Sequence, residues 1–347
     1  MGDSLAGTAG NEDAAPDDGV DRPERAGDRP ERAGGRPVLA GGWPAPGVDL
    51  VGVVLAAGAG RRLRPLTALL TKPLCPVGNE ALLDRALNQV AAVTRAVAVN
   101  LHHGGTAIDA HLGERNVHRS VEESEALGTA GALGRMRPWI DGRGALVVNA
   151  DGWSDADLAA FVAGWDGERV RLLVAPPPGT RRASGRETGA ARFGPTMGVV
   201  ASLLPWAEVA RLEPVPSGLY EVMWRGAHAE GRLDVVVHGG QFVDCGTPAD
   251  YLRANLLSVD LLSTDLMAGG PMAAGPDARG PDARGSHRSI VADGARITGR
   301  VERSVVGAGA VIEGSVIESV VWPGSRVAAG EHLVRAVRAG GLTVEVR

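Results

Sequence analysis

Apolar positions along this chain fall into two kinds of run. Short unbroken ones, "DLVGVVLAAG" at 49–58, "RAVAVNL" at 95–101, "GALVVNADG" at 144–152 and "RVRLLVAPPPG" at 169–179, end in Gly, Asn, Asp or Pro. They predict short strands buried on both faces. Between the first two, "ALLDRALNQVAAV" at 81–93 spaces its apolar residues three and four apart, which predicts a helix. Strand alternating with helix predicts a three-layer α/β fold with a mostly parallel sheet. The pattern changes near the C-terminus. In "GRVERSVVGAGAVIEGSVIESVVWPGSRVAAGEHL" β-branched residues recur every five or six positions between glycines. That period is too short for helices and predicts the stacked short strands of a β-helix, with Ile297, Val301, Val305, Val311, Val316 and Val321 recurring from coil to coil.

Polar tracts divide the chain. Residues 1–46, with "DRPERAGDRPERAGGRP", hold too little apolar surface to offset the entropy of ordering and predict a disordered segment. The imperfect repeat "GPDARGPDARG" predicts a linker over 267–288. A main domain over 47–266 and a short tail over 289–347 remain.

Composition narrows the function. Apolar residues make up 44% and charged ones 22%, the profile of a globular protein. A net charge of −5 with no long basic run argues against a nucleic-acid partner. Only Cys75 and Cys245 are present, too few for a disulfide framework or a cysteine-only zinc site. The N-terminal stretch has no apolar core of a secretory signal, and no run approaches the ~20 apolar residues of a membrane span. The expected location is the cytoplasm.

Of 36 lysine and arginine residues, 35 are arginine, and the single lysine, Lys72, follows a glycine-rich turn in "VVLAAGAGRRLRPLTALLTKPLCPVGN". Such a turn between strand and helix offers backbone N–H groups to phosphate oxygens. It is no P-loop, because Gly58 and Gly60 lead into Arg61 and Arg62 rather than Lys-Ser/Thr. It is no dinucleotide fingerprint, because the third glycine position is Leu63. An ammonium is a compact charge that fits among crowded phosphate oxygens, where a planar guanidinium does not. If this turn binds phosphate, that chemistry accounts for a lone lysine kept at this place.

The same residues, read as Gly-x-Gly-x-Arg-Leu-x-Pro-Leu-Thr followed by Lys-Pro-Leu-x-Pro-Val, resemble the signature of sugar-1-phosphate nucleotidyltransferases, the nucleotide-sugar pyrophosphorylases. The resemblance implies a Rossmann-like nucleotidyltransferase domain and, for the tail, a short left-handed β-helix of the hexapeptide-repeat kind. It is closest to mannose-1-phosphate guanylyltransferases that carry such a tail. "VNLHH" and the lack of a Glu-Lys-Pro segment are also similar to N-acetylmuramate-1-phosphate uridylyltransferase.

The resemblance implies roles for particular positions. Leu55, Ala56, Ala57, Gly58 and Gly60 would wrap the nucleoside triphosphate, Arg62 would contact the departing phosphates, and Lys72 those at the reacting centre. "EALGTAGAL" at 125–133 is similar to the family's second glycine-rich loop, which puts Gly128, Thr129 and Gly131 against the nucleobase. Read locally, the same stretch is a helix start capped by Thr129. Asp151 in "LVVNADGW" and Asp244 in "FVDCGTPADYLRAN" match the family's metal-binding aspartates, and two carboxylates suit Mg²⁺ bound with substrate oxygens. Their local reading is turns and helix caps, with Asp155 or Asp157 capping the next helix, or Thr247 capping a helix that starts at Pro248. The family's sugar-phosphate lysine has no counterpart, so Arg181, Arg182 or Arg192 would serve, with Gly198 and Glu221 on the sugar side. His102 and His103 read as structural loop residues.

The partners expected are an NTP, GTP by the closest resemblance, and a sugar 1-phosphate. Neither nucleic acid nor membrane is expected, and a homo-oligomer would form through the tail. Two rival readings are a non-catalytic nucleotide-sugar sensor and an acyltransferase seated on the β-helix. The sensor would have lost an aspartate or the loop arginine, and neither is lost. The acyltransferase would need a base within the coils, where His332 alone is available.

Overall fold

The computed structural model describes residues 49–177, 193–194, 197–267 and 289–347. The expected disordered segment and almost all of the expected linker lie outside these, as do Arg181, Arg182 and Arg192. The apolar runs form strands as their pattern predicts. Seven make one sheet, in the spatial order Leu233–Val237, Val170–Ala175, Gly198–Leu204, Gly144–Asn149, Leu50–Leu55, Val97–Leu101, His118–Val121. Gly198–Leu204 is antiparallel to both neighbours, and every other pairing is parallel.

Alternation along each strand sends side chains to two faces. Leu50 and Val54 pack with helices α1 (Leu82–Ala91), α2 (Gly105–Leu112) and α4 (Leu158–Val162). Val51 and Val53 pack on the other face with α3 (Gly128–Ile140), α5 (Trp206–Val209) and α6 (Arg225–Ala229). This is the three-layer arrangement the alternating pattern predicts.

After helix α7 (Pro248–Met267) the described chain resumes at 289 in three stacks of short parallel strands, as a β-helix has. Ile290, Val305 and Val320 are in register, fifteen residues apart, so these coils have three five-residue sides, while the last step, Val320 to Val337, is two residues longer. Val316 and Val321 fill the coil interior as stacked positions require, while Ile297 is 38% exposed, and Val306 and Ile312, not Val305 and Val311, fill the interior of their coils.

One side of the coils packs on the main domain. Val305, Val320, Trp322 and Val337 share an apolar cluster with Leu63, Cys75, Val243, Cys245 and Tyr251. Trp322 Nε1 donates to Tyr251 Oη at 2.9 Å, and that hydroxyl donates to the Pro76 carbonyl. Arg303 adds ion pairs to Asp260 on α7 (2.7 Å) and to Glu318 (2.8 Å).

Candidate active site

The strand Leu50–Leu55 has Gly144–Asn149 on one side and Val97–Leu101 on the other, so chain connections leave it in opposite directions. Open α/β sheets form their binding crevice outside the carboxyl end of such a strand. Here that end opens into a cleft lined by Leu55, Ala56, Gly58 and Gly60 with Arg61, Arg62, Lys72, Asp151 and Gly246.

Local structure explains how distant residues meet there. Gly60 sits at φ +59°, and a Cβ on it would lie 2.9 Å from Cβ of Lys72. A glycine at this position therefore lets the loop turn in the left-handed region and lets the lysine pass against it. Lys72 opens a short 3₁₀ turn, Lys72–Leu74, that directs its side chain inward. Asp151 follows the strand Gly144–Asn149. The ribbon Gly152–Ser154 pairs antiparallel with Phe242–Asp244, setting Asp244 opposite Gly152, and Cys245 N–H donates to the Asp151 carbonyl at 3.1 Å. Two aspartates far apart in sequence are thereby side by side.

Lys72 Nζ donates to Asp151 Oδ2 at 2.9 Å and to Asp244 Oδ1 at 3.1 Å, while Arg62 Nη2 reaches Asp244 Oδ2 at 3.2 Å. The lysine side chain is 6% exposed, the aspartates 45% and 51%, and the arginine 71%. The lysine is thus the floor, the carboxylates half open above it, and the arginine the rim. Burial alone would lower the Lys72 pKa, but Asp151 and Asp244 outweigh it and hold it above its ordinary value. Lys72 is therefore a fixed positive charge and not a proton acceptor. Two half-exposed oxygen ligands suit a hard cation that keeps water and takes substrate oxygens. Among the described residues no group of three or more His, Cys, Asp and Glu is placed to hold a metal ion.

The cysteines behind the site are inert packing. Burial pushes the Cys75 thiol up to about 12 and the Cys245 thiol higher still. Thr247 accepts from Asp250 N–H at 3.2 Å and caps α7, which starts at Pro248 as predicted. Asp157 caps α4 through Ala160 N–H, whereas Asp155 bonds His238 Nε2 at 2.8 Å and Gln241 N–H at 2.7 Å.

Other predicted residues lie elsewhere. Thr129 is not a helix cap, since α3 begins at Gly128 with no side-chain cap, and its hydroxyl accepts from Leu219 N–H at 2.8 Å. Cβ atoms on Gly128 and Gly131 would meet the carbonyl oxygens of Ser217 and Val215 at 2.5 and 2.2 Å, so segment 213–217 lies against them. Ala57 is buried at the loop, its carbonyl 3.1 Å from His103 Nδ1. Gly198 begins a sheet strand under the Phe242 ring, and Glu221 is exposed on the π-helical turn Tyr220–Trp224; neither lines the cleft around Lys72. Arg192 lies outside the described residues. Sequence reasoning missed Asn100 and Glu122, both buried at the ends of the strands beside the first loop. The polar residue that ends the run "RAVAVNL" was the available signal for Asn100.

Residues 51–178 match the sequence model of the nucleotidyl transferase family. The chain is 28% identical over 229 residues to the N-acetylmuramate alpha-1-phosphate uridylyltransferase of Caulobacter vibrioides, covering 59% of this chain and 95% of that protein. It is 34% identical over 114 residues to a protein of the same name from Neisseria meningitidis, covering 31% of this chain and 49% of the relative. A mannose-1-phosphate guanyltransferase of Schizosaccharomyces pombe is 30% identical over 233 residues, 59% of this chain and 63% of the relative. The chain thus spans about half to two-thirds of the length of these last two.

Proposed function

We propose that this chain, whose residues 51–178 match the nucleotidyl transferase family, joins a nucleoside triphosphate to a sugar 1-phosphate, releasing pyrophosphate. The observation that carries this reading is the meeting of Arg62, Lys72, Asp151 and Asp244 over a glycine-rich loop at the carboxyl edge of the sheet.

The chemistry follows from the charges. The attacking oxygen belongs to a phosphate that is already anionic, so no general base is needed, and Lys72, held protonated, offers none. Lys72 presents a positive charge where the α-phosphate would change hands, and Arg62 on the rim meets the departing pyrophosphate. Backbone N–H groups of the 55–60 loop position the triphosphate. Asp151 and Asp244 would hold Mg²⁺, which when bound supplies neutralisation of phosphate charge. In the free enzyme Lys72 keeps the two carboxylates together and oriented.

GTP with mannose 1-phosphate is the first pair to test. UTP with N-acetylmuramate 1-phosphate is the second, favoured by the match that covers 95% of such a relative. The test is a panel of NTPs crossed with sugar 1-phosphates, read as magnesium-dependent pyrophosphate release. At least one pair should turn over; binding of an NDP-sugar without any turnover would support the sensor instead.

A further inference from the structure

Glu122 is 2% exposed, and both hydrogen-bond partners of its carboxylate are uncharged. It stands just beyond the strand His118–Val121, between the two glycine-rich segments. Its Oε1 accepts from Asn100 Nδ2 at 2.7 Å, and its Oε2 from Leu127 N–H at 2.8 Å. Asn100 in turn accepts from Ala56 N–H at 2.6 Å through Oδ1. A continuous buried chain therefore runs Ala56, Asn100, Glu122, Leu127, from the first glycine loop to the residue before Gly128. The backbone around Glu122 is held as well: its N–H donates to the Leu101 carbonyl at 2.8 Å, and its own carbonyl lies 2.6 Å from His102 Nδ1.

We propose that Glu122, acting through Asn100, is a positioning residue that sets the separation of the two loops and so the grip on the nucleotide. This deepens the nucleotidyl-transfer reading and rests on it. The argument is one of matching donors to acceptors. Both ends of the chain are backbone N–H donors, so the two side chains between them must supply two more acceptors than donors, here three oxygens and one amide. Asparagine with glutamate does so. A buried carboxylate is costly unless its oxygens are satisfied, and here a single residue satisfies a donor on each loop. A core that needed only to be filled would be served by an apolar side chain without that cost.

The same count makes a sharp test. Glu122→Gln has the same shape but leaves two donors facing each other wherever the amides are flipped. If glutamine accepts from Leu127 N–H, its amide opposes that of Asn100; if Asn100 flips, its amide opposes Ala56 N–H. Asn100→Asp alone sets two carboxylates face to face. The double variant Asn100→Asp/Glu122→Gln restores the count with the roles exchanged.

Expected results follow for wild type, both single variants and the double. In each single variant KM for the NTP should rise about tenfold to a hundredfold, the scale of one unsatisfied buried group. Its kcat should stay within about threefold, because Lys72, Arg62 and the aspartates are untouched. The double variant should recover most of the KM. In the ligand-free protein, hydrogen exchange at the Ala56 and Leu127 amides should speed up in Glu122→Gln and slow again in the double.

Singles with unchanged KM, a fall confined to kcat, or a double no better than the singles would each overturn the brace. Wild-type turnover separates the two claims. If wild type turns over no substrate pair, the function itself falls, and the brace with it; if wild type is active but rescue is absent, the brace alone falls.

Discussion

A Cβ built on Gly58, in the first glycine-rich segment, would meet nothing within 4 Å, whereas one on Gly131, in the second, would lie 2.2 Å from the Val215 carbonyl oxygen. In the first segment Gly58 lines the cleft, with Gly60 alone pressed against Lys72 and Thr67. In the second, Gly128, Gly131 and Gly134 recur every three residues on α3, and each makes room for the backbone of 213–217. The two segments look alike in sequence, yet one keeps space open in the cleft beside Lys72 and the other is filled by its own chain. A glycine run therefore reports close approach, and only the fold says what approaches.

The largest expected effect is at the residue the first loop was shaped around. Lys72→Arg should lower kcat by about 100-fold or more, because a planar fork cannot take the place of an ammonium held 2.9 and 3.1 Å from two carboxylates. Single-turnover kinetics checks this, and near-normal turnover would mean that the loop is indifferent to the shape of the cation. The pH profile sharpens the point. The folded-state pKa of Lys72 is raised, so its charge and the stability it lends are fully present below the ordinary 10.5 and are lost only as pH passes the raised value. In the metal-free protein no loss of stability below pH 10.5 should trace to Lys72, which urea unfolding of wild type and Lys72→Arg across pH tests.

Next is Gly131→Ala. The added methyl meets a backbone oxygen that cannot swing aside, so unfolding should become easier by about 1–3 kcal/mol. Thermal or urea unfolding measures it, and unchanged stability would show that 213–217 moves away without cost. Gly58→Ala should do the reverse: stability within about 0.5 kcal/mol of wild type, but a raised KM for the NTP, because the methyl points into open space. If Gly58→Ala destabilises the protein while leaving KM alone, the contrast between the segments collapses.

The smallest effect belongs to the tail. Trp322→Phe keeps the ring in the shared cluster and removes only the hydrogen bond to Tyr251, so it should cost about 0.5–1.5 kcal/mol with little change in kcat. Removing residues 286–347 is a different matter, since Val305, Val320, Trp322 and Val337 cover Cys75, Cys245 and Tyr251 behind the site. The structure thus ties the tail to the main domain more closely than its sequence suggests.

Much of this protein was determined by sequence alone, because the forces involved are local. Apolar runs bounded by turn residues became the sheet strands, and residues 81–93 became a helix over Leu82–Ala91 because their apolar positions share one face. The five- or six-residue period of the tail became three-sided coils. Lys72 stood out because a motif position and a chemical exception coincided. Tertiary structure decided whatever depends on which surfaces meet. It paired Gly152–Ser154 with Phe242–Asp244 and so brought Asp151 beside Asp244. It turned Thr129 from a cap into an acceptor for Leu219, and it buried Glu122 between two loops. A glutamate in "SVEESEALG" carries no mark of burial, because burial is a property of neighbours arriving from other strands, and a hydrogen-bonded chain from Ala56 to Leu127 exists only once three strand ends lie side by side.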